Sequence, residues 1–180
     1  AVEGLADLAY ARGDWDRARE LYEAILAEAH PDLSLRLAEV AEALGDDDAA
    51  ARHERTFLRL ATAPGAEALN AHGLAIYYAS RPETRDDALA VIERDLERRR
   101  SGESLEVVAW VRLERGELDL ALEASDEARG WGAPDATSDY VRGRILIGLG
   151  SAEEGRELVA SALAEPTLLA HHVLAERRAR

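Results

Sequence analysis

Apolar residues recur along this chain at intervals of three and four, which places them on one face of an α-helix. In residues 15–29, for example, Ala18, Leu21, Tyr22 and Ile25 fall on one side. Period-two alternation, which is typical of strands, is absent, and β-branched residues are few. The pattern therefore predicts an all-α fold. The predicted helices cover residues 2–12, 15–29, 33–44, 47–62, 66–80, 84–100, 104–115, 118–129, 138–149, 152–164 and 167–179.

Small residues return along the chain in two parallel series with a spacing near 34 residues. A period of this length with two helices in each period is typical of a stacked array of helical hairpins. Small side chains at fixed positions also suit close contact between helices. The first series is Ala6, Ala38, Ala75, Ala109 and Gly143, and the second is Ala18, Ala50, Ala88, Ala121 and Gly155.

The predicted helices form five hairpins and a terminal helix that covers the last hairpin. One hairpin cannot bury its apolar stripe alone, whereas stacked hairpins cover one another. No connection between hairpins is longer than about six residues, so we expect a single domain over residues 1–180. The predicted hairpins cover approximately residues 1–31, 32–64, 65–102, 103–134 and 135–166, and the terminal helix covers residues 167–180.

Several residues at fixed places in the period resemble the signature of the tetratricopeptide repeat (TPR) family. That family has a Leu-Gly pair in its first helix, and later an alanine followed by an aromatic residue and a closing proline. Here Leu5-Ala6 matches the pair, Ala18 with Tyr22 matches the second helix, and Pro31 closes the repeat. The resemblance implies a right-handed superhelix in which the first helix of each hairpin lines a concave groove that binds a peptide or a partner helix.

The resemblance also implies which residues face that groove. They are the outward positions of the five first helices, and they combine carboxylates with aromatic and apolar side chains. The implied groove residues are Glu3, Asp7, Tyr10, Leu35, Glu39, Glu42, His72, Ile76, Glu106, Trp110, Leu113, Glu114, Tyr140, Arg144 and Ile147.

The charge of the chain narrows the range of partners. The formal net charge is −14, and all 22 basic residues are arginine. Such acidity argues against direct binding of nucleic acid or an anionic membrane, and it favours a partner with arginine or lysine beside apolar anchors. Trp110 and Tyr140 would supply packing and cation–π contact. Two questions stay open. The carboxylates either bind a partner or simply face water, and Trp110 either binds a ligand or packs between repeats.

Residues that could carry catalysis or hold a metal do not form a recognisable arrangement. Cysteine is absent, so thiolate sites and disulfides are excluded. His171 and His172 are adjacent, and adjacent helical residues point about 100° apart. His53 lacks the second histidine of a zinc-protease helix, and no serine lies in a Gly-x-Ser-x-Gly motif. We therefore expect no catalytic residue, no metal and no cofactor.

These observations favour a non-enzymatic adaptor that binds a protein or peptide. The alternative is a sensing or oligomerising region of a larger regulatory protein, such as a bacterial transcription regulator, because the chain contains no methionine to initiate it. Self-association is a further expectation, since open array ends expose apolar surface. No apolar run approaches the roughly 18 residues that cross a bilayer, and no signal peptide is visible. The compartment stays open, with the cytoplasm favoured over secretion.

Overall fold

The computed structural model describes residues 2–26, 30–132 and 134–164. Over these ranges the regular elements are α-helices and one short 3₁₀ helix, with no strand, which confirms the predicted all-α class. Residue contacts divide the chain into two compact units, and the boundary falls between Asn70 and Ala71. The single domain and the right-handed superhelix stay predictions.

Unit 1 contains two helical hairpins. The pairs α1–α2 and α3–α4 pack together, and α2 also packs on α3. Its largest fully buried side chains are Tyr10, Tyr22 and Phe57. The four helices are α1 (Val2–Ala11), α2 (Trp15–Ile25), α3 (Pro31–Leu44) and α4 (Asp47–Ala61).

Unit 2 contains three hairpins over its described residues. The central pair packs on both sides, because its first helix, α7, contacts α5 and α6 on one side and α9 on the other. Leu74, Ile92 and Ile145 are fully buried. The elements are α5 (Ala71–Ala79), a 3₁₀ helix (Pro82–Thr84), α6 (Arg85–Arg98), α7 (Gly102–Glu114), α8 (Leu118–Arg129), α9 (Ala136–Gly148) and α10 (Ala152–Ala164).

Four of the hairpin turns share one hydrogen-bond pattern at a glycine with positive φ. At the first turn Gly13 has φ +73°, its N–H donates to the Tyr10 carbonyl, and the Asp14 N–H donates to the Ala9 carbonyl. This is a Schellman-type helix end, where glycine avoids the penalty that a Cβ would incur. The Asp14 side chain then accepts the Arg17 N–H and starts α2. The positive φ and the two backbone hydrogen bonds recur at Gly45, Gly116 and Gly150.

The small residues of both series are removed from solvent, and the last member of each lies where two paired helices meet. The closest approach is between α9 and α10, where a Cβ placed on Gly143 would lie 2.7 Å from the Gly155 carbonyl oxygen. A Cβ on Gly155 would likewise lie 2.5 Å from the Gly143 carbonyl oxygen. These two helices therefore pack backbone against backbone.

The helix bounds differ from the prediction at several places; α7 and α9 each begin two residues earlier than predicted, for example, and α6 ends two residues earlier. The helix predicted over 66–80 begins at Ala71, because Asn70 Nδ2 donates to the Ala66 carbonyl at 2.8 Å and favours a turn there. The helix predicted over 33–44 begins two residues earlier at Pro31, which lacks the N–H that the first turn leaves unpaired. The helix predicted over 15–29 ends at Ile25. The terminal helix predicted over 167–179 lies outside the described residues.

Candidate functional site

A buried polar cluster connects α1 with α3 in unit 1. Tyr10 Oη donates to Glu39 Oε2 at 2.5 Å, and Arg36 Nη1 donates to the same carboxylate oxygen at 3.1 Å. The Arg36 guanidinium also lies 5.0 Å from the centre of the Tyr10 ring. Burial, with the negative charge of Glu39, holds the pKa of the Tyr10 hydroxyl well above its ordinary value. The phenol therefore stays protonated and acts as a hydrogen-bond donor.

A second tyrosine ties α2 to α1 beside this cluster. Tyr22 Oη donates to Asp7 Oδ1 at 2.7 Å, and the Tyr22 and Tyr10 rings meet edge to face with centroids 6.3 Å apart. Three predicted groove residues, Asp7, Tyr10 and Glu39, thus come together in unit 1. Their hydrogen bonds are to the protein's own side chains, which favours a structural role for them.

A histidine, an aspartate and a serine meet where α5, α6 and α7 join in unit 2. His72 Nε2 lies 3.1 Å from Asp95 Oδ2 and 3.0 Å from Ser104 Oγ. Ser104 Oγ donates to Asp95 Oδ2 at 2.7 Å, and Arg99 Nε donates to Asp95 Oδ1 at 3.2 Å. Burial raises the pKa of Asp95, but the bond from Ser104, the charge of Arg99 and the bond from His72 outweigh it, so the pKa is lowered.

This cluster has the residue types of a hydrolase triad but a different geometry. In a triad the aspartate and the serine bind different nitrogens of the histidine, so that one nitrogen can accept the serine proton. Here Asp95 and Ser104 both lie against Nε2 of His72. The Ser104 hydroxyl is already donated to Asp95, and the residue is fully buried. The arrangement joins three helices and does not present a nucleophile.

The aromatic residues predicted for the groove of unit 2 pack against each other. Trp110 on α7 and Tyr140 on α9 stack with ring centroids 6.5 Å apart and an interplanar angle of 19°. Trp110 is 3% exposed and Tyr140 is fully buried. Arg144 Nη1 donates to Tyr140 Oη at 3.3 Å. Of the two interpretations left open for Trp110, this geometry favours packing between neighbouring hairpins.

The other predicted groove residues are spread over their helices with varied exposure. Glu114 pairs with Arg85, at 3.3 Å between Oε2 and Nη2, and so joins α7 to α6. Exposed positions are Glu3, Glu42 and Ile147; partly buried ones are Leu35 and Ile76; and Leu113 is buried.

One predicted residue, Glu106, lies in an open cleft of about 500 Å³ in unit 2, which we call the α7–α9 cleft. The start of α7, the end of α8 and the start of α9 form its walls. Its charged lining residues are Glu103, Glu106 and Asp135, and Trp131 is 57% exposed beside them. The remaining lining residues are uncharged: Ser101, Gly102, Ala128 and Gly132.

The local sequence explains how the cleft forms. Ser101 caps α7 by accepting the Ser104 N–H at 3.2 Å, and Asp135 caps α9 through its Oδ1, so both helices begin at the cleft. Gly102 makes room for the indole, because a Cβ there would lie 3.0 Å from the Cβ of Trp131. The tryptophan is therefore held against the backbone of α7 while much of its surface stays in solvent.

The cleft carries excess negative charge. Burial, then the negative charge of Asp135, raises the pKa of Glu106, and Glu103 adds to this. A hydrogen bond from Ser138 and the charge of Arg129 act in the opposite direction without cancelling it. Arg129 itself pairs with Asp139 on α9. Ionisation of Glu106 is thus less favourable in the folded protein than for an ordinary glutamate, and a cation in the cleft would stabilise the ionised form.

The cleft also contains residues that the sequence analysis missed. Trp131, Glu103 and Asp135 were not assigned to a site, because the resemblance pointed only to outward positions of first helices. A signal for one of them exists in the sequence: Trp131 stands between Gly130 and Gly132, directly after a helix end. A large aromatic residue in a glycine-flanked turn has few neighbours to cover it.

Two further features, a metal-binding cluster and a membrane-spanning helix, are absent from the described residues. No group of three or more His, Asp or Glu side chains there is arranged to hold a metal ion. No helix there is both long enough and apolar enough to cross a membrane.

Comparison with known proteins gives no family assignment. No protein-family model, curated protein or solved structure matches this chain. The resemblance to tetratricopeptide repeats therefore stays a prediction that is based on the residues quoted above.

Proposed function

We propose that this chain is a non-enzymatic helical module that binds a positively charged segment of a protein or peptide, and that unit 2 binds it in the α7–α9 cleft. One observation carries the proposal: the exposed Trp131 stands beside three carboxylates in a cleft whose lining, over the described residues, includes no basic side chain. Exposed tryptophans are enriched at the centres of protein interfaces. Complementary charge adds specificity and speeds association.

The net charge of −14 supports the same class of partner. A strongly acidic protein attracts cationic ligands and repels nucleic acid and anionic lipid over distances comparable to the Debye length. The predicted groove and the α7–α9 cleft share Glu106. Many other predicted groove residues, Trp110 and Tyr140 among them, are engaged with the protein's own side chains.

The experiment compares basic, neutral and acidic peptides of equal length for retention on the immobilised chain. The test variant is Glu103→Gln/Glu106→Gln, and the control is Glu153→Gln/Glu157→Gln. The control removes the same charge from exposed positions on α10. Basic peptides are expected to bind wild type and control and to lose most of their retention on the test variant. Equal retention of acidic peptides, or unchanged binding by the test variant, would contradict the proposal.

A further inference from the structure

We infer that the α7–α9 cleft takes one arginine side chain, whose guanidinium stacks on the Trp131 indole and pairs with the carboxylates of Glu106 and Asp135. The inference rests on the proposed function and names the group that the cleft recognises. Three features of the cleft support it: the carboxylates that line it, the exposed indole and the excess of negative charge.

Three carboxylates line the cleft, on Glu103, Glu106 and Asp135. They belong to the first turns of α7 and to the residue that caps α9, so they reach the cleft from two helices. A guanidinium carries five N–H donors in a rigid plane, so one group can donate to more than one of these carboxylates. The lining therefore suits a planar cation with several donors.

The exposed indole separates arginine from lysine. Trp131 lies with its Cβ against the backbone of Gly102, and 57% of its surface is in solvent. A guanidinium is planar and weakly hydrated, so it stacks on an aromatic face at small desolvation cost. A lysine ammonium is a compact and strongly hydrated charge. A cleft that combines an indole with several carboxylates is therefore better matched to arginine.

Among the described residues, no side chain that lines the cleft is basic. The pKa of Glu106 is raised by burial and by Asp135. Two neighbouring arginines have other partners: Arg129 pairs with Asp139, and Arg100 donates two hydrogen bonds to Glu127, at 2.7 and 2.5 Å. An incoming guanidinium would relieve the repulsion between Glu106 and Asp135, so its binding should be tighter above the pKa of Glu106 than below it.

The test is isothermal titration calorimetry with three peptides that differ at one central position. That position carries arginine, lysine or citrulline, which has the shape of arginine without its charge, and the flanking residues are neutral. Wild type is expected to bind the arginine peptide about threefold more tightly than the lysine peptide. The citrulline peptide should bind about tenfold more weakly than the arginine peptide, because its neutral ureido group forms no ion pair with the carboxylates.

Variants locate the binding to the cleft. Trp131→Ala is expected to weaken arginine binding about twofold to fivefold, and Glu106→Gln about threefold to tenfold. Trp131→Phe keeps an aromatic ring and should retain most of the affinity, which separates loss of stacking from loss of folding. Glu153→Gln on α10 is the control and should bind like wild type.

The outcomes separate the inference from the proposed function. If the lysine and arginine peptides bind equally and Trp131→Ala has no effect, while Glu106→Gln still weakens both, the arginine inference is wrong and the proposed function stands. If neither peptide binds, or if Glu106→Gln changes nothing, both are wrong. A tighter arginine complex that loses affinity in Trp131→Ala and Glu106→Gln supports both.

Discussion

At the scale of single residues, unit 2 places two carboxylates in opposite electrostatic environments. Asp95 is buried but accepts hydrogen bonds from Ser104, His72 and Arg99, and its pKa is lowered. Glu106 is partly buried among other acids, and its pKa is raised. The ionised form of Asp95 therefore stabilises the fold, whereas the ionised form of Glu106 destabilises it. Groups that oppose folding in this way are concentrated at functional sites.

The substitution Asp95→Asn should destabilise the protein by about 2–3 kcal/mol at neutral pH, because it removes a buried charged acceptor from three donors. A lowered folded-state pKa gives stability that is present above the unfolded pKa, about 3.9 for aspartate, and is lost as the pH falls through the folded pKa. The difference between wild type and variant should therefore shrink below about pH 4. Urea unfolding at several pH values measures it, and a difference that grows in acid would contradict this account.

The substitution Glu106→Gln should stabilise the free protein slightly at neutral pH, by less than about 1 kcal/mol because the group is partly exposed. A raised folded-state pKa gives stability that is present below the unfolded pKa and is lost as the pH rises through the folded pKa. The gain should accordingly vanish below about pH 3, where glutamate is protonated in both states. Thermal unfolding followed by circular dichroism tests it. A lower Tm for the variant at neutral pH would show that the charge of Glu106 stabilises the fold.

At the scale of helices, small residues decide how closely neighbours approach. The substitution Gly143→Ala should destabilise unit 2 by about 1–3 kcal/mol, because the new Cβ would lie 2.7 Å from the Gly155 carbonyl oxygen. The matched control is Gly4→Ala, which is also in a helix but has no atom within 4 Å of the added Cβ. That control should be neutral or stabilising by up to about 1 kcal/mol. Equal effects of the two substitutions on Tm would refute the close approach of α9 and α10.

The helices were predictable where local signals coincide with packing. The turn at Gly13-Asp14 has both a glycine that adopts positive φ and an aspartate that caps the next helix, and the structure ends α1 and begins α2 there. The start of α5 was misjudged, because the side chain of Asn70 competes with the helix through a bond to Ala66. Propensity alone does not reveal such a local hydrogen bond.

The candidate site was predictable only in part. Glu106 was assigned through the resemblance to tetratricopeptide repeats, but Trp131 and Asp135 meet it only because the ends of three helices converge. Such convergence depends on how the hairpins pack, which the period does not specify. Trp110 and Tyr140 were assigned to the groove as well, but in the structure their rings stack on each other.

At the scale of the whole molecule, net charge is the dominant property. A charge of −14 on 180 residues produces repulsion that opposes the compact state. Salt screens this repulsion, since the Debye length falls from about 30 Å at 0.01 M to about 8 Å at 0.15 M. We therefore expect Tm to rise when sodium chloride increases over this range. Differential scanning calorimetry measures the shift, and a fall in Tm would mean that attractive ion pairs outweigh the net repulsion.

Salt should weaken the binding of a cationic peptide, although it stabilises the fold. Association of a cationic peptide with an acidic chain weakens as salt rises, and its association rate falls more steeply than its dissociation rate changes. If salt raises the stability of the free protein and lowers its affinity for a cationic peptide, both results agree with an acidic surface whose charge a basic partner neutralises.

The most direct test of the account is a titration of ¹⁵N-labelled protein with the single-arginine peptide, followed by two-dimensional NMR. Three tryptophan indoles serve as internal reporters, since Trp131 lines the α7–α9 cleft while Trp110 is buried and Trp15 lies in unit 1. The account predicts saturable shifts of the Trp131 indole N–H and of the amides of Gly102, Glu106 and Asp135. Shifts confined to other residues, or no saturable shift in the cleft, would contradict it.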